Sequence, residues 1–431
     1  MLDVEVVPEL GIRHKSWEFI LGMPIQQMID ILRKQDHTIK NVDFWYSDKD
    51  PYSMNLVLVL PADGVRFHFD PFLQRLRIIE VIDLSSITLR YWSQYFNSPS
   101  ILPTMQEVLR IFGSTKPLVP TESDGDYQLT YRGITFIFRK FSIGISGGSR
   151  ESIDSKSDLL ATRLFIYLGS HLAEAKVPVE LPSACYLQNV FLERLKVNRS
   201  VNSTTDLTLH LVSQDLNVNP TREPQIRRFT RSLTFGDCVQ DVLSALGSPS
   251  RVFYKTEDKM KIHLPQSHRL VQPRKSDYFF NYFSLGLDIL FDAQTHKVVK
   301  FVLHTNQPGE YTFNTYYRCL FEIPITFAKS FKESASIEVD DETVLKTDNS
   351  LNETKYLVTP FSKWSDVRQH LNSSIDTEPV VIYRESKPQQ NPFGPTHAYG
   401  YQDIIFEIIP SSECIASVTL YTPIHLSKTP N

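Results

Sequence analysis

Gly144-Ile145-Ser146-Gly147-Gly148 is the stretch of this chain whose residue types and spacing match a covalent catalyst. GxSxG is the nucleophile elbow, in which a strand runs into a tight turn and a helix, exposing the serine hydroxyl. Here the motif runs instead into SRESIDSKSD, a polar stretch with no apolar helical face. A glycine-rich loop is the expected outcome, with a serine hydrolase using Ser146 as the remote alternative. The twelve histidines are scattered. His296 and His304 are eight residues apart, and His263 and His268 fall in a loop, so no HExxH or similar ligand spacing forms. Cys185, Cys238, Cys319 and Cys414 form no CxxC pair and read as reduced, mostly buried thiols of a cytosolic protein. Acidic pairs such as Asp43/Asp48 and Asp340/Asp341 have nothing that would set two carboxylates across a pocket. No Walker A or GxGxxG is present. The reading is a protein with no catalytic residue, no metal and no cofactor.

Binding chemistry is better represented. Between Lys255 and Ser276 lie Lys255, Lys259, Lys261, Arg269, Arg274 and Lys275 against Glu257 and Asp258. Such a basic loop suits an acidic partner or a phosphoinositide headgroup, at roughly 1 kcal/mol per basic residue near an anionic surface. It leads into Tyr278, Phe279, Phe280, Tyr282 and Phe283, and outward-facing aromatics are favoured at protein interfaces. The candidate contact residues are those six cations with Tyr278, Phe280 and Tyr282. Asn391-Pro392-Phe393 matches the tripeptide bound by endocytic EH-domain proteins and is a candidate short linear motif.

The elements that position these residues repeat along the chain. Val239, Val242, Leu243 and Leu246 have the i, i+3, i+4, i+7 spacing of an amphipathic helix, with Asp237 as N-cap and Gly247 as stop. Ile25, Met28, Ile29 and Leu32 show it too, with Pro24 at the first helical position. So do Met105, Val108, Leu109 and Phe112, with a Thr104/Glu107 capping box and Gly113 as stop. Trp364, Val367 and Leu371 make a degenerate fourth copy, where Arg368 replaces an apolar residue. A glycine-led strand follows each helix, at Gly64, Gly133, Gly286 and Gly400, and a further strand follows each of those.

The fold class is therefore α+β, as tandem helix-then-antiparallel-sheet units with long loop insertions. The expected units are 1–95, 100–215 with a flexible loop at 141–160, 230–325 with the basic loop at 255–276, and 355–425. Residues 331–354 read as an acidic, disordered insertion. Length and composition agree: 431 residues allow ~2–4 domains or repeats, and 27 Phe and 19 Tyr favour sheets. The net charge of −4 gives no general attraction to nucleic acid or anionic membrane. The N-terminus carries Asp3 and Glu5 and no signal-like apolar run, and the longest apolar stretches are strand-sized.

The segments FGDCVQDVLSALGSPSRVFYKTEDKMKIH and DYFFNYFSLGLDILFDAQTHKVVKFVLHTNQPG closely resemble the phagosome assembly factor family of eukaryotes. WEFILGMPIQQMIDIL, HFDPFLQRLRIIEVIDL, NPFG and IASVTLY add to the likeness, which runs in order from Met1 to about Tyr421. It is weakest at 115–230 and 326–360, where this chain has its own insertions. The resemblance implies a non-enzymatic cytoplasmic regulator of autophagy. It implies a partner, a WD-repeat β-propeller of the breast carcinoma amplified sequence three family, and recruitment to the phagophore assembly site. Membrane contact would be peripheral and through the complex, and nucleic acid is not expected. The alternative is an adaptor for trans-Golgi vesicle trafficking or phosphoinositide binding.

Overall fold

The structure is a computed structural model. It describes residues 1–121, 125–140, 159–182, 185, 190–200, 202–214, 226–255, 276–328, 344–345, 353–371, 378–383 and 393–422. The chain divides into two compact units, Met1–Leu187 and Gln188–Asn431. Both are α+β, with short helices among antiparallel sheets.

Unit 1 begins with β1 (Leu2–Val7), β2 (Gly11–Arg13), β3 (Glu18–Ile20) and α1 (Ile25–Lys34). A four-strand meander follows: β4 (Asp43–Trp45), β5 (Leu56–Leu60), β6 (Val65–Phe69) and β7 (Leu76–Val81). Then come β8 (Ile87–Tyr91), β9 (Gln94–Asn97), α2 (Met105–Phe112) and a second meander: β10 (Val119–Pro120), β11 (Asp126–Tyr131), β12 (Ile134–Lys140) and β13 (Leu159–Tyr167). The strands form two sheets, β3-β2-β1-β8-β9 and β10-β11-β12-β13-β7-β6-β5-β4. β1 and β8 run parallel, while β7 and β13 join the meanders antiparallel.

Unit 2 builds the same plan again. It opens with β14 (Val190–Arg199), β15 (Thr204–Gln214), β16 (Ile226–Thr234) and α3 (Val239–Leu246). Its first meander is β17 (Arg251–Tyr254), β18 (Tyr278–Tyr282), β19 (Leu287–Phe291) and β20 (Val298–His304). β21 (Phe321–Ala328), β22 (Val344–Leu345), β23 (Glu353–Val358) and α4 (Trp364–His370) lead to β24 (Val380–Ile382), β25 (Thr396–Tyr401), β26 (Ile404–Ile409) and β27 (Cys414–Tyr421). The sheets are β16-β15-β14-β21-β23-β22 and β17-β18-β19-β20-β27-β26-β25-β24. Again the first and post-meander strands, β14 and β21, are parallel, and the meanders join at β20 and β27.

A local device recurs in all four helix-then-strands segments. The N-cap residue of each helix forms an isolated bridge to the head of that segment's last strand. The pairs are Pro24 with Arg75, Thr104 with Leu160, Cys238 with Lys297, and Lys363 with Cys414. The turn before that strand is also shared. Asp70 and Asp292 each accept two backbone N–H bonds from the residues two and three positions on. Gln74, His296 and Glu413, at the end of the turn, have φ of 54°, 54° and 56°. An Asx-type turn relieves what a left-handed non-glycine residue costs.

Several local expectations are corrected. Pro24 is the N-cap of α1, one position before the first helical residue. The N-cap of α3 is Cys238, because the Asp237 carboxylate is held by the Thr234 N–H and hydroxyl. The Thr104/Glu107 box is half made: the Thr104 hydroxyl caps Glu107 N–H, but the Glu107 carboxylate pairs with Arg110. Leu243 is partly exposed, so the apolar face of α3 is carried by Val242 with Val239 and Leu246. Gly400 lies inside β25, paired with Ile405, and the turn residue of that segment is Gln402 at φ 53°. Gly113 and Gly247 do terminate their helices, at φ 83° and 78°. In unit 2 one core joins Leu207, Leu209 and Leu211 of one sheet, Ile289, Phe301 and Phe406 of the other, and Val242 and Val367 of the helices.

Candidate interaction surface

β17 is the edge of the eight-stranded sheet in unit 2. It is four residues long, and Arg251, Val252, Phe253 and Tyr254 are all exposed. Val252 pairs with Phe280 and Tyr254 with Tyr278, so these two stand on the core face, at its rim. Arg251 and Phe253 stand on the other face, opposite Asn281 and Phe279. The Arg251 guanidinium lies over the Phe253 and Phe283 rings at 5.3 and 5.9 Å, and the Lys255 ammonium lies 5.7 Å from the Phe279 ring. Cations resting on aromatic rings are positioned without being neutralised. Burial, aided by the charge of Lys255, lowers the pKa of Lys300 on the nearby strand. The result is a local patch of positive charge and exposed rings, suited to gripping an acidic or aromatic group.

The other residues singled out in the sequence fall elsewhere. Lys259, Lys261, Arg269, Arg274 and Lys275 lie outside the described residues, as do Asn391, Pro392 and Ser146. Phe393 is exposed. Tyr278, Phe280 and Tyr282 are 8%, 7% and 3% exposed and belong to the core. They alternate onto the face that packs on Phe291 and Ile289, and the Tyr282 hydroxyl donates to Gly247 O. Among the described residues around the basic loop, the exposed rings are therefore on β17 and not on β18.

Behind this edge lies a buried polar cluster that sequence reasoning missed. The Asp288 carboxylate accepts from the Asn281 amide at 2.7 Å and the Tyr316 hydroxyl at 2.8 Å, and pairs with His304 Nε2 at 3.0 Å. The His304 ring stacks on Tyr316, centroids 3.8 Å apart. Burial and the neighbouring Asp288 charge push the Tyr316 hydroxyl pKa well up, so it stays protonated and donates. Next to it, residues 305–320 form a long connection where unit 1 has only a short turn between β7 and β8. Thr305 donates to the carbonyls of Ile415 and Ala416, and the Arg318 Nε–H donates to Thr305 O. The connection comes close enough that a Cβ on Gly286 (φ 65°) would lie 2.7 Å from Cys319 N. Asp, His and Tyr together resemble a proton relay, but all three are buried and they bond one another. Their work is to clamp the connection onto the sheet. The available signal was the density of amides and hydroxyls in HTNQPGEYTFNTYYRC, too polar for an ordinary core segment.

Among the described residues no group of three His, Cys, Asp or Glu could hold a metal ion, and no helix is long and apolar enough to cross a membrane. The family model for phagosome assembly factor 1 matches residues 15–421, which takes in both units and the clamped connection. The chain belongs to the phagosome assembly factor 1 family. Family members align with it along nearly their whole length. PHAF1 protein CG7083 of Drosophila melanogaster is 40% identical over 427 residues, 98% of this chain and 94% of its own. PHAF1 protein T01G9.2 of Caenorhabditis elegans is 32% identical over 97% of this chain and 93% of its own. PHAF1 protein At3g51130 of Arabidopsis thaliana is 31% identical over 94% and 90%. No solved structure matches the chain.

Proposed function

We propose that this chain is a non-enzymatic phagosome assembly factor that regulates autophagy. It acts in complex with a WD-repeat β-propeller of the breast carcinoma amplified sequence three family at the phagophore assembly site. Family membership over residues 15–421 carries the reading. The exposed aromatic and cationic edge at Arg251–Lys255 supports a binding role, since exposed aromatics beside Arg are the composition of interface anchors.

Co-purification of the propeller with tagged full-length chain, and recruitment to autophagic puncta in cells, test this reading. The wild type should retain the propeller. Phe253→Ala with Tyr254→Ala and Lys255→Glu should reduce retention at least tenfold without loss of folded signal. A wild-type chain that neither retains the propeller nor reaches puncta overturns the reading. Flotation of the isolated chain with phosphoinositide vesicles would instead favour a phosphoinositide-binding adaptor.

A further inference from the structure

The outer strand of the six-stranded sheet in unit 2 is the longest edge strand among the described residues. β16 is nine residues long, and five of them are exposed: Arg227, Arg228, Thr230, Arg231 and Ser232. Its counterpart in unit 1, β3, has three residues, with Phe19 and Ile20 buried. The duplicated plan thus ends on a short edge strand in one unit and a long one in the other.

The hydrogen-bond pattern says which way the backbone of β16 faces. Thr234 N–H donates to the Asp237 carboxylate at 2.7 Å, and Thr234 O accepts from Asp237 N–H at 3.3 Å. Thr234 therefore turns its main-chain groups away from Asp206, its partner on β15. In an antiparallel ladder this orientation alternates. Ser232, Thr230 and Arg228 accordingly also turn N–H and C=O to the open side. Asp237 already fills the last rung with a carboxylate.

Charge completes the description. Ile226–Thr234 holds Arg227, Arg228 and Arg231 and no acid. Arg231 lies over the Phe229 ring at 5.0 Å. Arg228 pairs with Glu193 at 3.2 Å, but both side chains are exposed, 61% and 48%, and such a pair in water is readily exchanged.

We infer that β16 takes up an extended acidic segment of a partner protein as an added antiparallel or parallel strand, its carboxylates meeting Arg228 and Arg231. The Thr230 carbonyl already accepts from the exposed Arg231 guanidinium at 3.1 Å; a bilayer surface would meet the arginines but leave the outward main-chain groups of Arg228 and Ser232 and the Thr230 N–H without a protein partner, whereas a strand satisfies both. Arg228–Ser232 spans about 17 Å at ~3.4 Å per residue, enough for a five-residue contact. This surface is separate from Arg251–Lys255 and extends the binding role proposed above to a second site.

The test uses full-length protein and a fluorescein-labelled octapeptide Thr-Glu-Glu-Thr-Thr-Glu-Glu-Thr, which as a strand carries glutamates on both faces as Arg228 and Arg231 do, read by fluorescence anisotropy. The peptide should bind, more weakly as salt rises. The same peptide with its two central residues changed to proline should bind at least tenfold more weakly. Arg228→Glu with Arg231→Glu should cost at least tenfold. Ser232→Pro should do the same while the protein keeps its circular dichroism, since proline is tolerated where the N–H faces solvent. The proline peptide leaves the protein untouched, so it decides the matter even if Ser232→Pro fails to fold. Equal binding of the two peptides, no binding of either, or flotation with phosphatidylserine vesicles in place of peptide binding overturns the proposal. Retention of the β-propeller by a Ser232→Pro protein that has lost the peptide would support two separate surfaces.

Discussion

At the scale of single residues, two buried acids carry opposite lessons. Asp288 is acceptor for Asn281, Tyr316 and His304 at once, so its removal strands three donors in the interior. Asp288→Ala should cost about 3 kcal/mol, read as a lowered urea midpoint at unchanged slope, because orphaned buried donors keep their full desolvation cost. A change below about 1 kcal/mol would mean that the cluster does not clamp the connection. Glu80 illustrates pH dependence. Burial alone would raise its carboxyl, but the His68 hydrogen bond at 2.9 Å and the charges of His68, Arg66 and Arg163 outweigh that and hold it below its ordinary 4.5. With the folded pKa depressed, the unfolded chain binds more protons in the window between the two values. Glu80 therefore contributes stability above pH 4.5 that is lost as pH falls through the folded value. Glu80→Gln should flatten the fall of stability with acid, measured by urea midpoints from neutral pH down to the onset of acid unfolding. An unchanged acid slope would remove Glu80 from the account. Neither acid announces itself in sequence, since alternation shows only that a polar residue sits in a strand.

At the scale of elements, turns were the least legible part of the chain. Helices follow from apolar spacing, and Met28, Val108, Val242 and Val367 are buried as the spacing requires. Their caps depend on which side chain wins a competition for backbone N–H groups, and Thr234 captured Asp237 before α3 could. The β8–β9 hairpin turns at Trp92 and Ser93, with φ of 46° and 64°, where asparagine and glycine are the favoured pair. Trp92 is 77% exposed there. Each left-handed non-glycine residue costs about 1–2 kcal/mol. Replacing Trp92-Ser93 with Asn-Gly should thus stabilise unit 1 by about 1 kcal/mol, seen as a higher denaturation midpoint. Destabilisation would show that the indole packs in a way its exposure does not suggest. The corresponding connection of unit 2, between β21 and β23, is long and acidic in sequence.

At the scale of the whole molecule, the chain is a duplicated two-meander plan. Each unit has its own pair of sheets, and among the described residues the core cluster of unit 2, from Val190 to Leu420, is drawn from unit 2 itself. Residues 188–431 expressed alone should therefore unfold cooperatively in urea, with a single transition shared by fluorescence and circular dichroism. A broad, non-cooperative transition would show that unit 2 needs unit 1. The sequence by itself determined the α+β class, the four helix-then-strands segments, the poverty of catalytic groupings and the likeness to the phagosome assembly factors. These are local or serial properties, written in spacing and in long matching strings. Tertiary structure alone decided that the segments join in twos through β7–β13 and β20–β27, and that Tyr278, Phe280 and Tyr282 are core while β17 is exposed. It also decided that β16 is a sheet edge among the described residues and that Asp288 gathers partners from three places in the chain. Strand order and edge position depend on partners far away in sequence, and alternation is the same whichever face is covered.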